Sequence, residues 1–217
     1  LHFEARARIS VGNVFLFQGN YENAMDNYLL ALKIAQENQL ETEELISLTH
    51  LGIIKDRLNL FDEAIEYYFK ALNIYNKNAE KGLAMKDVKN IQSLYNNIGN
   101  IYNSKKEYET AVKYYLKGLE ISEKENDRQN IGTICNNLGK LEIERGNFDK
   151  GYVYLHKSLQ TRKLINDKSG ISRSYLFLGN YYKTLGNVDS ALYYAQKSLE
   201  IGEEMNELMT IKNSSMM

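Results

Sequence analysis

Leu178-Gly179-Asn180-Tyr181-Tyr182-Lys183-Thr184-Leu185-Gly186-Asn187-Val188-Asp189-Ser190-Ala191-Leu192 holds the pattern that decides the fold. With Tyr175 before it, Leu178, Gly179 and Tyr182 fall at i, i+3, i+4 and i+7, one face of a helix. Gly186-Asn187 then breaks that period with two residue types that tolerate a left-handed helix terminus. Val188 and Asp189 follow, an apolar residue and an acid suited to the amide-rich start of a second helix. That helix carries Ala191, Leu192, Ala195, Leu199 and Ile201. The stretch therefore predicts two helices folded back on each other.

The same pattern recurs along the chain. Gly12, Gly52, Gly99, Gly139 and Gly179 are spaced 40, 47, 40 and 40 residues apart. Twelve residues after each stands a small residue (Ala24, Ala64, Ala111, Gly151, Ala191), and eight further on a leucine (Leu32, Leu72, Leu119, Leu159, Leu199). The turn recurs as Gly19-Asn20, Asn59-Leu60, Lys106-Glu107 and Gly146-Asn147. Five copies in phase predict an all-α, right-handed superhelical solenoid of five helical hairpins, at about 4–38, 42–78, 87–126, 128–166 and 168–206, forming one array over 1–217. A mid-helix glycine costs about 1 kcal/mol relative to alanine. Its return at one register implies a steric need, and the expectation is that the glycine and the small residue of the second helix let the two backbones approach. The 47-residue step places seven extra residues within 79–86, close to two helical turns, and predicts a longer hairpin there, with a disordered loop as the alternative. The chain opens inside a helix at Leu1, and a sixth copy would begin at 207–217, so a fragment of a longer protein is expected.

Composition narrows the function. Hydrophobic content of 43% and charged content of 25% describe an ordinary globular chain. A net charge of −1 provides no field to attract nucleic acid or an anionic membrane, and the apolar runs are too short to span a bilayer. The single cysteine, Cys135, excludes an intramolecular disulfide or a cysteine-rich metal site and fits a reducing, cytoplasmic compartment. It takes the register of Leu48, Tyr95 and Tyr175, a core position. His2, His50 and His156 have no metal-ligand spacing, and neither a phosphate-binding glycine loop nor a nucleophile elbow is present. His50 could face a groove as a contact residue. Glu43-Glu44 and Glu203-Glu204 diverge around a helix and read as solvated surface. The tyrosine doublets (Tyr67-Tyr68, Tyr114-Tyr115, Tyr181-Tyr182, Tyr193-Tyr194) put one ring inward and its neighbour nearer the surface. No enzyme, cofactor or metal is expected.

Leu51-Gly52, Ile98-Gly99, Leu138-Gly139 and Leu178-Gly179, with Tyr102 and Tyr182 three residues after the glycine and Tyr28, Tyr68 and Tyr115 in the second helix, closely resemble tetratricopeptide repeats. Two features depart from that pattern. The proline near the end of the second helix is replaced by Gln36, Asn76, Glu123, Lys163 and Glu203, and the period of 40 implies longer helices. This variant is similar to the repeats of Leu-Gly-Asn scaffolds, kinesin light chains, bacterial Rap-type regulators, and sensory arrays beside histidine kinases or helix-turn-helix domains. The resemblance implies a concave groove, lined by the first helices, that holds an extended peptide or a partner protein. It places Asn13, Asn97, Asn100, Asn137, Lys140 and Asn180 on that groove, with Arg6, Arg57, Arg173 and Lys183 on or near the same face. Asparagine offers a donor and an acceptor to a peptide backbone, and the basic residues could meet acidic groups. Ordinary solvation of a wet surface is the other reading of the same row. The lysine clamp some members use for a terminal carboxylate is absent, since Ile9, Thr49, Asn96, Asn136 and Leu176 stand in its place. Two functions are expected from this: a non-catalytic peptide- or protein-binding scaffold, or the sensory segment of a larger bacterial signalling protein. The ends of a solenoid could also pair to form a homodimer.

Overall fold

The computed structural model describes residues 1–81 and 91–214, the side chains of 207–214 apart. Among the described residues there are ten α-helices and no strand: α1 (His2–Phe17), α2 (Tyr21–Glu37), α3 (Glu41–Arg57), α4 (Phe61–Glu80), α5 (Ile91–Ser104), α6 (Tyr108–Lys124), α7 (Arg128–Glu144), α8 (Phe148–Leu164), α9 (Lys168–Thr184) and α10 (Val188–Ser214). They form two compact units, Leu1–Ile101 and Tyr102–Met217. Within the first, α1 packs on α2, α3 on α4 and α2 on α3; within the second, α7 packs on α8, α9 on α10, and α8 on α9. At 20 residues α4 is longer than the other second helices of the first four hairpins, as the 47-residue step predicts; the rest of that expected extension lies outside the described residues.

One three-residue turn joins nearly every described pair of helices. In the first, Gly19 has φ +74°, its amide donates to the Leu16 carbonyl at 3.1 Å, and the Asn20 amide reaches back to the Phe15 carbonyl at 2.9 Å. These two bonds satisfy carbonyls that the helix end would leave bare. Asn20 also starts α2, its side-chain oxygen accepting from the Asn23 amide. The asparagine before the apolar residue is thus the cap, and the acid expected in that role, Glu22, sits in the first turn. Asn59, Lys106, Gly146 and Gly186 take the same left-handed geometry at the other hairpin turns, with φ of 59°, 62°, 80° and 73°. Gln39, Asn126 and Asn166 do so between hairpins.

The repeated glycine makes room for a ring. A Cβ on Gly12 would stand 2.7 Å from Tyr28 Cε1, and one on Gly52 would stand 2.5 Å from Tyr68 Cε1. Both rings are fully buried. This corrects the expectation of a small residue opposite a small residue: in these two hairpins the partner is the tyrosine four residues after the alanine. Close backbone approach holds in the fourth hairpin, where a Cβ on Gly139 would meet the Gly151 carbonyl oxygen at 3.0 Å and the Leu155 side chain. In the fifth, Ala195 occupies the tyrosine register, and nothing comes nearer than 3.4 Å. There the face expected to be core is open: Leu192 and Leu199 are 64% and 61% exposed, because no described element packs over α10.

The core of the first unit gathers Ile9, Ala24, Tyr28, Ala31, Leu51 and Ile54. In the second, Ile134, Cys135, Leu138 and Leu141 of α7 pack with Tyr115 and Leu119, while Leu155, Leu159, Leu178 and Tyr181 form a second cluster. Cys135 is fully buried, and desolvation pushes its thiol up to about 12, as its core register implied. The second unit also holds a buried polar seam. Ser158 Oγ donates to the Gly132 carbonyl at 2.6 Å, Asn136 Nδ2 donates to Ser174 Oγ at 3.2 Å, and Arg162 Nη2 donates to Thr133 Oγ1 at 3.1 Å. Arg162 also pairs with Asp167, whose other oxygen caps α9 by accepting from the Gly170 amide at 2.9 Å. The seam links α7, α8 and α9, so it sets where α9 stands beside α7.

Candidate functional site

In the second unit, Asn137, Lys140 and Glu144 recur at i, i+3 and i+7 along α7, and Arg173, Phe177, Asn180 and Thr184 recur at i, i+4, i+7 and i+11 along α9. Each set keeps to one helical face. The two helices contact each other. Between them is a cleft of about 190 Å³ lined by Lys140, Ile143 and Glu144 of α7 and Phe177, Asn180, Tyr181 and Thr184 of α9. Lys140 and Asn180, two of the residues expected on a groove, thus line one cleft with an apolar floor. Lys140 Nζ lies 3.5 Å from Glu144 Oε1, one turn along, so the exposed pair is locally neutral. Arg173 is exposed one turn before Phe177 and has no ion-pair partner among the described residues. Lys183 lies elsewhere, in a second cleft of about 370 Å³ between α9 and α10 that Leu176, Gly179, Asn180, Val188, Ala191, Leu192 and Ala195 complete.

The residues of the first unit are more engaged. Asn13 Oδ1 accepts from the Tyr28 hydroxyl at 2.7 Å, so this asparagine supports a core ring with its oxygen and keeps its amide for other contacts. Asn97 lies beside the Tyr68 hydroxyl, a parallel placement without a hydrogen bond of good geometry. Asn97, Asn100 and Asn137 are half-buried. Arg6 donates from Nε to Glu43 Oε1 at 2.8 Å, and His2 approaches the same oxygen at 3.2 Å. Glu43 is buried, so Arg6 acts as the partner of an internal carboxylate and not as a free cation of the groove. His50 stacks on Tyr28 with centroids 4.9 Å apart, and its Nδ1 lies 2.8 Å from the Ile46 carbonyl oxygen. Desolvation holds its pKa below the usual imidazole range. Glu43 itself, expected as solvated surface, is the exception among the acidic doublets.

Sequence reasoning missed Phe177, Ile143, Glu144, Tyr181 and Thr184. Phe177 stands two residues before Gly179, the register of Asn97 before Gly99 and Asn137 before Gly139, but lacks the polar group that marks those two. Among the described residues no cluster of three histidine, cysteine or acidic side chains could hold a metal ion.

A tetratricopeptide repeat family model matches residues 3–77, 90–150 and 131–204. The chain belongs to the tetratricopeptide repeat family. Among curated protein sequences none matches it. Solved structures similar to it include BtubC from P. vanneervenii, 26% identical, covering 90% of this chain and 78% of that one with a TM-score of 0.75. A signal transduction ATPase with a tetratricopeptide repeat sensor from Pyrococcus horikoshii is 21% identical, covering 97% of this chain and 31% of that one, with a TM-score of 0.79. The Rap conjugation regulator of plasmid pLS20, solved in complex with the Phr* peptide, is 17% identical, covering 92% of this chain and 53% of that one, with a TM-score of 0.71. The fold is therefore the all-α tetratricopeptide solenoid.

Proposed function

We propose that this tetratricopeptide array binds an extended segment of another protein along the exposed faces of its first helices, without chemistry of its own. The observation that carries the proposal is the α7–α9 cleft, where Lys140 and Asn180 stand over Ile143, Phe177 and Tyr181. An apolar floor under a few oriented polar groups is the composition of a recognition site. Asn180 offers the paired donor and acceptor that a peptide unit needs. The Rap regulator's complex with a peptide supports the same use of the fold. Balanced charge favours protein over nucleic acid, and among the described residues no helix is long and apolar enough to cross a membrane. Cytoplasmic location and pairing of two copies through the hairpin ends belong to this proposal. The test is affinity capture with the chain and with Asn137→Ala/Lys140→Ala/Asn180→Ala. A folded triple variant that retains every partner sinks it.

A second reading is a sensory or regulatory segment of a larger bacterial signalling protein. It is favoured by the repeat sensor from Pyrococcus horikoshii, in which the matched region is 31% of the chain. A histidine kinase or helix-turn-helix domain in the same open reading frame would support it; its absence there would remove it.

A further inference from the structure

Resting on the groove proposal, we infer that the α7–α9 cleft is a subsite for one bulky apolar side chain of an extended acidic peptide, with a carboxylate of that peptide on Arg173. Size comes first. At about 190 Å³ the cleft falls below the ~300–1,000 Å³ of pockets that enclose cofactors or drug-sized ligands. It compares with a cavity of roughly 150 Å³ that accepts a benzene molecule, so one leucine-, methionine- or phenylalanine-sized group fills it. Ile143, Phe177 and the ring of Tyr181 supply the apolar contact, Asn180 adds a donor and an acceptor for the peptide backbone, and Thr184, whose hydroxyl donates to the Asn180 carbonyl at 2.9 Å, adds an acceptor.

Charge selects the neighbouring residue. Along the two facing stripes the ionic groups are Lys140, Glu144 and Arg173. Lys140 and Glu144 neutralise each other at 3.5 Å, which leaves Arg173 as the uncompensated charge of this wall. Arg173 precedes Phe177 by four residues, just over one turn or about 6 Å of helix. An extended peptide advances about 3.3 Å per residue. The acid therefore lies about two positions from the apolar residue. A planar guanidinium takes a carboxylate in a bidentate pair, which gives the contact direction as well as charge.

The experiment is selection of a phage-displayed library of random twelve-residue peptides on the full chain, followed by fluorescence titration of the synthetic winners. Enriched peptides are expected to pair one bulky apolar residue with an acid one to three positions away. Arg173→Glu should weaken them at least tenfold, and exchanging the peptide's acid for lysine should restore binding to that variant. Phe177→Ala should weaken them at least tenfold, and Phe177→Leu much less. Winners that lack the pattern, or bind Arg173→Glu and Phe177→Ala unchanged yet fail on Asn137→Ala/Lys140→Ala/Asn180→Ala, overturn the subsite and leave the groove standing. Selection of no peptide, or only of peptides indifferent to all these changes, overturns both.

Discussion

Arg162, a residue 2% exposed, pairs through its guanidinium with the Asp167 carboxylate that caps α9. One buried arginine thereby fixes the start of the helix that carries Arg173, Phe177 and Asn180. Gly132 and Gly170 are the complement of that arrangement. A Cβ on Gly132 would stand 2.9 Å from Arg162 Cγ, and one on Gly170 would collide with the guanidinium itself. Burial acts to raise the Asp167 pKa, but the hydrogen bonds from the Gly170 amide and Arg162 outweigh it and hold the carboxyl below its usual range. Arg162→Ala leaves that carboxylate and the Thr133 hydroxyl without their partner. A loss of roughly 3–5 kcal/mol is expected, read as a fall in unfolding midpoint, and Gly170→Ala should do comparable harm. An unchanged midpoint for Arg162→Ala would remove the seam from any role in holding α9.

Equivalent glycines should respond in opposite senses. Gly52→Ala drives a methyl into the Tyr68 ring and is expected to cost about 1–3 kcal/mol. Gly179→Ala meets only ordinary contacts from 3.4 Å outward and gains up to about 1 kcal/mol of helix propensity. Thermal unfolding of the two single variants gives the comparison. Equal losses would mean that the ring against the glycine does not distinguish the hairpins.

Lys106 and Gln39 hold φ of 62° and 55°, positions where a side chain is strained by about 1–2 kcal/mol. Glycine relieves that strain and adds freedom to the unfolded chain in partial offset. Lys106→Gly and Gln39→Gly should each raise stability by about 0.5–1 kcal/mol. Gly19→Ala, at φ 74° with open space around it, should lower stability.

His50 gives the first unit a pH dependence of definite sign. Its pKa is lowered in the folded state by desolvation, so the unfolded chain binds the proton more tightly. Stability is then complete above the ordinary imidazole pKa of about 6.5 and falls as the pH drops from there toward the folded value. His50→Phe keeps a ring against Tyr28 and removes the titration. Chemical denaturation of both proteins between about pH 7.5 and 5 should show the native chain losing stability relative to the variant. Parallel curves would exclude His50 as the source.

Much of this was legible from residue spacing. Glycine at one register, a left-handed residue seven positions later and a small residue at twelve suffice to place helices, turns and hairpin pairing, because each is a local requirement of backbone geometry. Cys135 could be placed in the core on register alone. The α7–α9 cleft was legible only in outline. Register located Lys140 and Asn180 on one face, but the engagement of Asn13 with Tyr28 and of Arg6 with Glu43 joins residues 15 and 37 positions apart.

By itself the sequence determined an all-helical array of hairpins and the helix faces that look outward, since periodicity and turn chemistry act over a few residues. Only the tertiary structure decided that the glycines of the first two hairpins accommodate tyrosine rings, that Arg162 anchors α9, and that Phe177 floors a cleft beside Lys140. Those outcomes depend on which side chains meet across helices, on the space left between them and on the partner each buried charge finds. No spacing along the chain encodes these.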